Sequence, residues 1–226
     1  MALERSAGDD AEGFVVVAGE QIAGRGRRGH KWFSPPGAGL YVSVVLAPAR
    51  ARVDPLRATL LLTLAAGVGI AEGIVAATGL RPDLKWPNDL QVARRKLAGI
   101  LAEGAANQVV LGYGINIAAA AFPPELQDRT TSLESELGRD VDRVDVLVET
   151  LAALAARYAD LLDGRFDAIL DAWRALSPSA AGWRVSWTTN AGHLSGVTAG
   201  IDDHGALLVR VDDRIERVVA GELSWP

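Results

Sequence analysis

The sequence predicts an α/β (α+β) chain: a mixed, largely antiparallel sheet with packed helices, followed by a small β-barrel. Three observations predict it. Strand-length apolar runs and long apolar helical stretches share the chain up to Leu176. Beyond Pro178 the texture changes to short alternating segments separated by Asp- and Gly-rich turns. The composition is 49% hydrophobic with no cysteine, so the core is built by apolar burial without disulfide staples.

Taken in order, Phe14 to Ala18 is a β-branched run, followed by the glycine- and arginine-rich loop Gly24 to Trp32. Leu40 to Leu46 is a second strand, entered through Pro35, Pro36, Gly37 and Gly39. Asp54 and Pro55 supply an N-cap and a first-turn proline, apolar residues continue to Thr78, and Gly79 stops the helix. Leu84 to Asp89 reads as a strand end turning at Pro87 and Asn88-Asp89. Lys96 to Glu103 and Gln108 to Ile117 form an antiparallel pair of buried strands. Helices follow at about Arg143 to Leu162 and Phe166 to Leu176. A boundary falls at Pro178 to Gly182. Strands are then expected at Trp183 to Thr188, Leu194 to Ile201, Ala206 to Val211 and Ile215 to Val219.

Composition narrows the function. The 226 residues carry a formal net charge of -5, which disfavours a generic nucleic-acid coat but leaves room for a local basic loop. Without cysteine there is no zinc-thiolate site, iron–sulfur cluster or cysteine nucleophile. His30, His193 and His204 are scattered too widely to suggest a metal cluster. The apolar stretch Ala58 to Ala77 is interrupted by Glu72 and three glycines, so it reads as a buried core helix, not a membrane span. Nor is there an apolar signal-peptide segment near Met1 to Glu12, and a soluble cytoplasmic protein is the expectation. Only three of the 23 cationic residues are Lys: Lys31, Lys85 and Lys96. Lysine is a compact point charge where arginine is a flat fork, which marks these three positions.

Four constellations could carry chemistry. The loop from Gly24 to Trp32 sets Arg25, Arg27, Arg28 and Lys31 among three glycines, with an aromatic face in Trp32. Glycines let backbone approach a ligand, and Arg forks suit phosphate or carboxylate; a solvated basic loop has the same composition. Lys85-Trp86-Pro87-Asn88-Asp89 places a cation, an amide and a carboxylate at one turn, or is only a turn. Lys96-Leu-Ala-Gly99 starts a buried strand with a cation, which strand edges also use as a gatekeeper. Gly112-Tyr-Gly-Ile-Asn116 ends a strand in a polar amide, or is a bulge with a turn residue.

In that order and spacing, with Gly200-Ile-Asp-Asp-His-Gly-Ala-Leu-Leu and Ala220-Gly-Glu-Leu after them, these segments resemble the bacterial biotin–protein ligases over nearly the whole chain. The resemblance implies a biotin/lipoyl ligase-like catalytic domain over residues 1–178 and an SH3-like C-terminal domain over 179–226. It implies an ATP-dependent ligase: biotin is adenylated to biotinyl-5′-AMP, then passed to a lysine of a biotin carboxyl carrier domain of acetyl-CoA or another acyl-CoA carboxylase. ATP and biotin would be substrates and Mg²⁺ the metal.

By the same resemblance Arg27 and Lys96 flank the reacting carboxylate and phosphate. Gln21, Gly24, Arg25, Ser43 and Gly99 would hold biotin. Arg28, His30, Trp32, Lys85, Asn88 and Asn116 would hold the nucleotide, with Trp32 covering the adenine, and Asp89 would meet the metal. The family pattern has Arg where this chain has His30. Relatives also carry a Ser/Thr-Thr/Ser-Asn strand ahead of a helix that here starts the chain at about Met1 to Gly8, which implies a shortened start. The absence of a winged-helix segment implies a catalytic-only form without sequence-specific DNA binding; a homodimer through sheet edges is compatible with it, and no membrane partner is expected from the interrupted apolar stretch. Two other readings stay open, a lipoyl or octanoyl ligase-transferase relative and a non-catalytic biotin- or nucleotide-binding module.

Overall fold

The computed structural model describes residues 11–105, 108–119, 122–189, 192–221 and 223–225; the helix expected at Met1 to Gly8 lies outside them. The first sheet contains β1 (Val15–Ala18), β2 (Gly39–Leu46), β3 (Asp83–Lys85), β4 (Asp89–Val92), β5 (Arg95–Ala105) and β6 (Gln108–Asn116). Its order is β1-β2-β6-β5-β4-β3, and every pairing is antiparallel. A four-stranded sheet of β7 (Ala181–Thr189), β8 (Gly192–Ile201), β9 (Leu207–Val211) and β10 (Arg214–Val218) follows as an antiparallel meander. The expected strands are present with ends moved by a residue or two. The strand end expected at Leu84 to Asp89 turns through Trp86, cis-Pro87 and Asn88 as the sequence indicates, and an unexpected short strand, β4, follows to complete a hairpin with β3.

Helix α1 (Pro55–Thr78) backs the sheet. Its start is held by Asp54, whose carboxylate accepts from Arg57 N–H at 3.0 Å, and its end by Gly79, left-handed at φ 80°. By length and composition it is the one helix among the described residues that could cross a membrane, yet 67% of its apolar window is buried within the fold. Its buried face includes Leu61, Leu62, Val68, Ile70 and Ile74. The glycines that interrupt this apolar run have a packing role. A Cβ on Gly73 would sit 2.4 Å from Thr150 Cα, and one on Gly69 2.9 Å from Leu154 Cα. Both residues belong to α4 (Arg143–Leu162), so only glycine lets the two helix backbones approach this closely. The short helices α2 (Pro124–Gln127) and α3 (Leu133–Leu137) precede α4, and α5 (Phe166–Leu176) closes the layer.

The two sheets share one hydrophobic core that contains Leu84, Trp86 and Ile100 of the first and Val185, Leu207 and Val209 of the second. Trp86 is buried, and its indole N–H donates 2.9 Å to the carbonyl of Gly205 in the β8–β9 turn. A buried donor paired this way locks the β3–β4 hairpin to the second sheet. Arg57 of α1 adds a second tie, donating to Asp203 O at 2.8 Å while its guanidinium lies over the Phe166 ring.

Candidate active site

One face of the first sheet, the Gly24–Trp32 loop and the end of the second sheet enclose a cavity of about 890 Å³. That size falls within the usual range for small-molecule sites, roughly 300–1,000 Å³. The loop is built by its own backbone bonds. Trp32 N–H donates to Gly24 O at 3.0 Å, Gly26 N–H to His30 O at 2.7 Å and His30 N–H to Arg27 O at 3.1 Å. At the tip Arg28 and Gly29 are both left-handed, at φ 55° and 81°, which turns the chain back sharply. The guanidinium-bearing residues Arg25, Arg27 and Arg28, with His30, line the cavity.

The floor depends on two glycines. Gly99 of β5 and Gly114 of β6 are partners across the ladder, and neither has a side chain to fill the space above. Trp32 fills it. A Cβ on Gly114 would stand 2.6 Å from the indole nitrogen, and one on Gly99 3.0 Å from ring carbon Cζ3. The indole N–H is buried without a protein partner, so a donor is left facing this region.

Lys96 approaches the Trp32 ring to 5.2 Å and pairs through Nζ with Asp89 Oδ1 at 2.6 Å. Arg27 reaches Asn88 Oδ1 at 3.4 Å. Burial lowers the pKa of the Arg27 guanidinium; the negative charge of Asp89 acts against that, and Arg28 adds to it. Burial likewise lowers the pKa of Lys85, opposed by Asp89 and reinforced by Lys96, Arg129 and Arg94. Asn88 is fixed by a reciprocal pair: its amide donates to Ile100 O at 2.7 Å, while Ile100 N–H donates to Asn88 O at 2.9 Å. Three motifs distant in sequence therefore converge: the loop supplies Arg27, the β3–β4 turn Asn88 and Asp89, and β5 Lys96.

Other expected residues occupy different places. Ser43 lines the cavity beside Gly112, its partner across the β2–β6 ladder. Gln21 also lines it, and its side-chain oxygen accepts from Ser34 Oγ at 3.0 Å. Arg25 lines the cavity and pairs with Glu103 of β5 at 2.8 Å. Gly24 lies behind the wall, where a Cβ would meet Trp32 O at 2.5 Å; its place is set by the crossing of the loop's two arms. Asn116 is not brought to the cavity surface. It is 5% exposed and donates to Thr131 O at 3.0 Å, which braces the segment after α2 against the end of β6.

That segment contributes Arg129 and Thr130 to the lining, β7 of the second sheet contributes Trp183, and the segment after β10 contributes Leu223 and Trp225. Leu223 belongs to the Ala220-Gly-Glu-Leu segment noted in the sequence and Trp183 opens an expected strand, but Arg129, Thr130 and Trp225 were not singled out. Their only local signal is aromatic and basic residues in otherwise ordinary turns and strands.

Residues 5–118 match the biotin/lipoate A/B protein ligase family, and residues 182–224 match the biotin protein ligase C-terminal domain. A Mycobacterium tuberculosis protein named biotin–[acetyl-CoA-carboxylase] ligase is 35% identical over 98% of this chain and 82% of its own length. The chain belongs to the biotin–protein ligase family. A Bacillus spizizenii relative, named the bifunctional ligase/repressor BirA, is 36% identical over 94% of this chain; the match spans 66% of that longer protein. Among solved structures, the biotin protein ligase of Aquifex aeolicus in complex with biotin and ATP superposes with a TM-score of 0.85 at 28% identity, covering 98% of this chain and 92% of the other. Family membership accounts for the large antiparallel sheet with its packed helices and its second, four-stranded sheet, and the matched region contains the loop, Asn88, Asp89 and Lys96.

Proposed function

We propose that the chain adenylates biotin with ATP and transfers the biotinyl group to a lysine of a biotin carboxyl carrier domain. The observation that carries this reading is the convergence of Arg27, Lys85 and Lys96 with Asn88 and Asp89 on one aromatic-floored cavity, in a chain of this family. In the first step a biotin carboxylate oxygen attacks the α-phosphorus and pyrophosphate leaves. In the second, the carrier lysine amine attacks the biotinyl carbonyl, AMP leaves, and the amine proton is released.

The chain's side chains match the needs of that chemistry. Two anions must be brought together, and Arg27 and Lys96 are the cations flanking the junction. Lys96 is pre-positioned between the Asp89 carboxylate and the Trp32 face, so little reorganisation is required as charge builds on phosphorus. Arg27, half-buried against Asn88, offers its fork in a setting where water screens it less. The side with Gln21, Ser43 and Gly112 presents an amide and a hydroxyl beside a glycine surface, suited to the ureido ring of biotin. Residues 1–178 would form the catalytic domain and residues 179–226 the SH3-like domain that completes the nucleotide side.

Three carboxylates line the cavity, Asp89, Glu103 and Asp128; Asp89 is the one paired with Lys96 beside Arg27 and Asn88, and Glu103 is taken by Arg25. Among the described residues no cluster of three or more His, Asp or Glu forms a metal cage. One carboxylate with nucleotide phosphates and water suits Mg²⁺, which usually keeps several waters. Asp89 would hold the ion, which would offset phosphate charge when bound.

Biotin-dependent release of pyrophosphate from ATP tests the reading. The expected result is release with biotin and none with lipoate or octanoate. Release with lipoate instead would transfer the chain to the lipoyl branch. Biotin binding without release would leave a binding module.

A further inference from the structure

The cavity's cations are held in two different ways. Lys96 and Arg25 are paired with carboxylates, which orient them but cancel their charge. Lys85 and Arg94 are oriented by rings instead. The Lys85 ammonium lies 5.4 Å from the Trp225 ring, and the Arg94 guanidinium 5.4 Å from the Trp183 ring. Neither has a carboxylate within ion-pair distance among the described residues; Asp89 is the nearest negative influence on Lys85 and is engaged by Lys96. An aromatic face attracts a cation through its quadrupole and leaves the full positive charge available to a third party. Lys85, Arg94 and Arg129 all line the same part of the cavity, and such a wall fits a polyanion.

Trp225 is held where it is by backbone. Ser224 N–H donates to Ser186 O at 2.8 Å and Ser186 N–H to Ser224 O at 3.1 Å, so the segment adds an antiparallel rung beside β7. The second sheet thereby reaches across to the edge strand β3 and sets one ring against its lysine.

Resting on the ligase reading above, we infer that Trp225 is a positioning residue that holds the Lys85 ammonium toward the polyphosphate of the nucleotide. The ring keeps Lys85 charged and extended in a half-buried place where an unsupported ammonium would turn to solvent. The ligand class is the β,γ-phosphate end of a nucleoside triphosphate, and pyrophosphate as it leaves.

The test is steady-state adenylation in the full chain, titrating ATP and biotin separately for Trp225→Leu, Trp225→Phe and Lys85→Met. Trp225→Leu keeps apolar cover but removes the π face. It should raise the ATP KM about three- to tenfold, with the biotin KM and the kcat at saturating ATP within about twofold of the parent. Trp225→Phe should restore most of the loss. On a Lys85→Met background Trp225→Leu should add no further rise, which decides the matter even where the single variant loses stability. An unchanged ATP KM in Trp225→Leu, an equal rise for biotin, a failure of Trp225→Phe to rescue, or full additivity with Lys85→Met would overturn the inference. A parent chain that releases no pyrophosphate sinks the ligase reading and this inference with it. An active parent with an indifferent Trp225→Leu sinks this inference alone.

Discussion

Replacing Gly114 by alanine tests whether the glycine pair and Trp32 form a working floor. The added methyl would stand 2.6 Å from Trp32 Nε1, 2.7 Å from Cε2 and 3.0 Å from Cζ2. Ordinary carbon contacts lie at roughly 3.5–4.0 Å, so the ring must retreat by about 1 Å. The ring is part of a loop, and β6 itself meets no backbone obstruction among the nearest atoms. Stability should therefore change by no more than about 1 kcal/mol, or roughly 2–4 °C in melting temperature for a chain of this size. Catalysis should suffer far more. The displaced ring leaves Lys96, and a misplacement of about 1 Å at a reacting group costs on the order of 100-fold. The kcat/KM for biotin-dependent pyrophosphate release should fall about 10- to 100-fold. Gly104→Ala, where a Cβ meets nothing within 4 Å, is the control and should change neither property. A folded Gly114→Ala protein with parental kcat/KM would refute the reasoning.

Three further outcomes are expected. Gly73→Ala should lower stability by about 1–3 kcal/mol in urea unfolding, because the clash with Thr150 backbone outweighs a helix-propensity gain of about 1 kcal/mol; Gly67→Ala, facing side-chain methyls of Leu84 and Ile100 no nearer than 3.3 Å, should be close to neutral. Lys96→Met should reduce adenylation by about 100-fold or more, while calorimetry still detects biotin; the unpaired Asp89 should cost about 1 kcal/mol of stability, solvent having screened part of the pair. The lowered pKa of Lys85, caused first by burial, means that the unfolded chain holds the proton to higher pH. Its contribution to stability therefore improves as pH rises through the folded-state value, while the ATP KM rises over the same window as the charge is lost. The pH profile of ATP KM for Lys85→Arg should stay flat there; coincident profiles for parent and variant would contradict the assignment.

Much of this was readable from residues alone, for identifiable reasons. The long helix announces itself through Asp54, Pro55 and Gly79, each of which has a local backbone cause, and these same residues cap it in the structure. Strand runs such as Leu40 to Leu46 are continuous and β-branched because they are buried on both faces. The β3–β4 hairpin was missed since three- and four-residue strands give no periodicity, and their pairing across Trp86–Asn88 is set by tertiary contacts such as Trp86 to Gly205. Asn116 illustrates a different limit. Its motif is legible, but whether the amide faces a ligand or a backbone carbonyl depends on where the segment around Thr131 passes. Trp225 lies 140 residues from Lys85 along the chain, and no local pattern ties it to that lysine.

The central claim is tested most directly by the mass of a purified biotin carboxyl carrier domain after incubation with this chain, biotin, ATP and Mg²⁺. The account predicts a gain of one biotinyl group on a single lysine, lost when ATP is omitted or when Lys96→Met replaces the parent. A folded chain that leaves the carrier mass unchanged under all these conditions would contradict it.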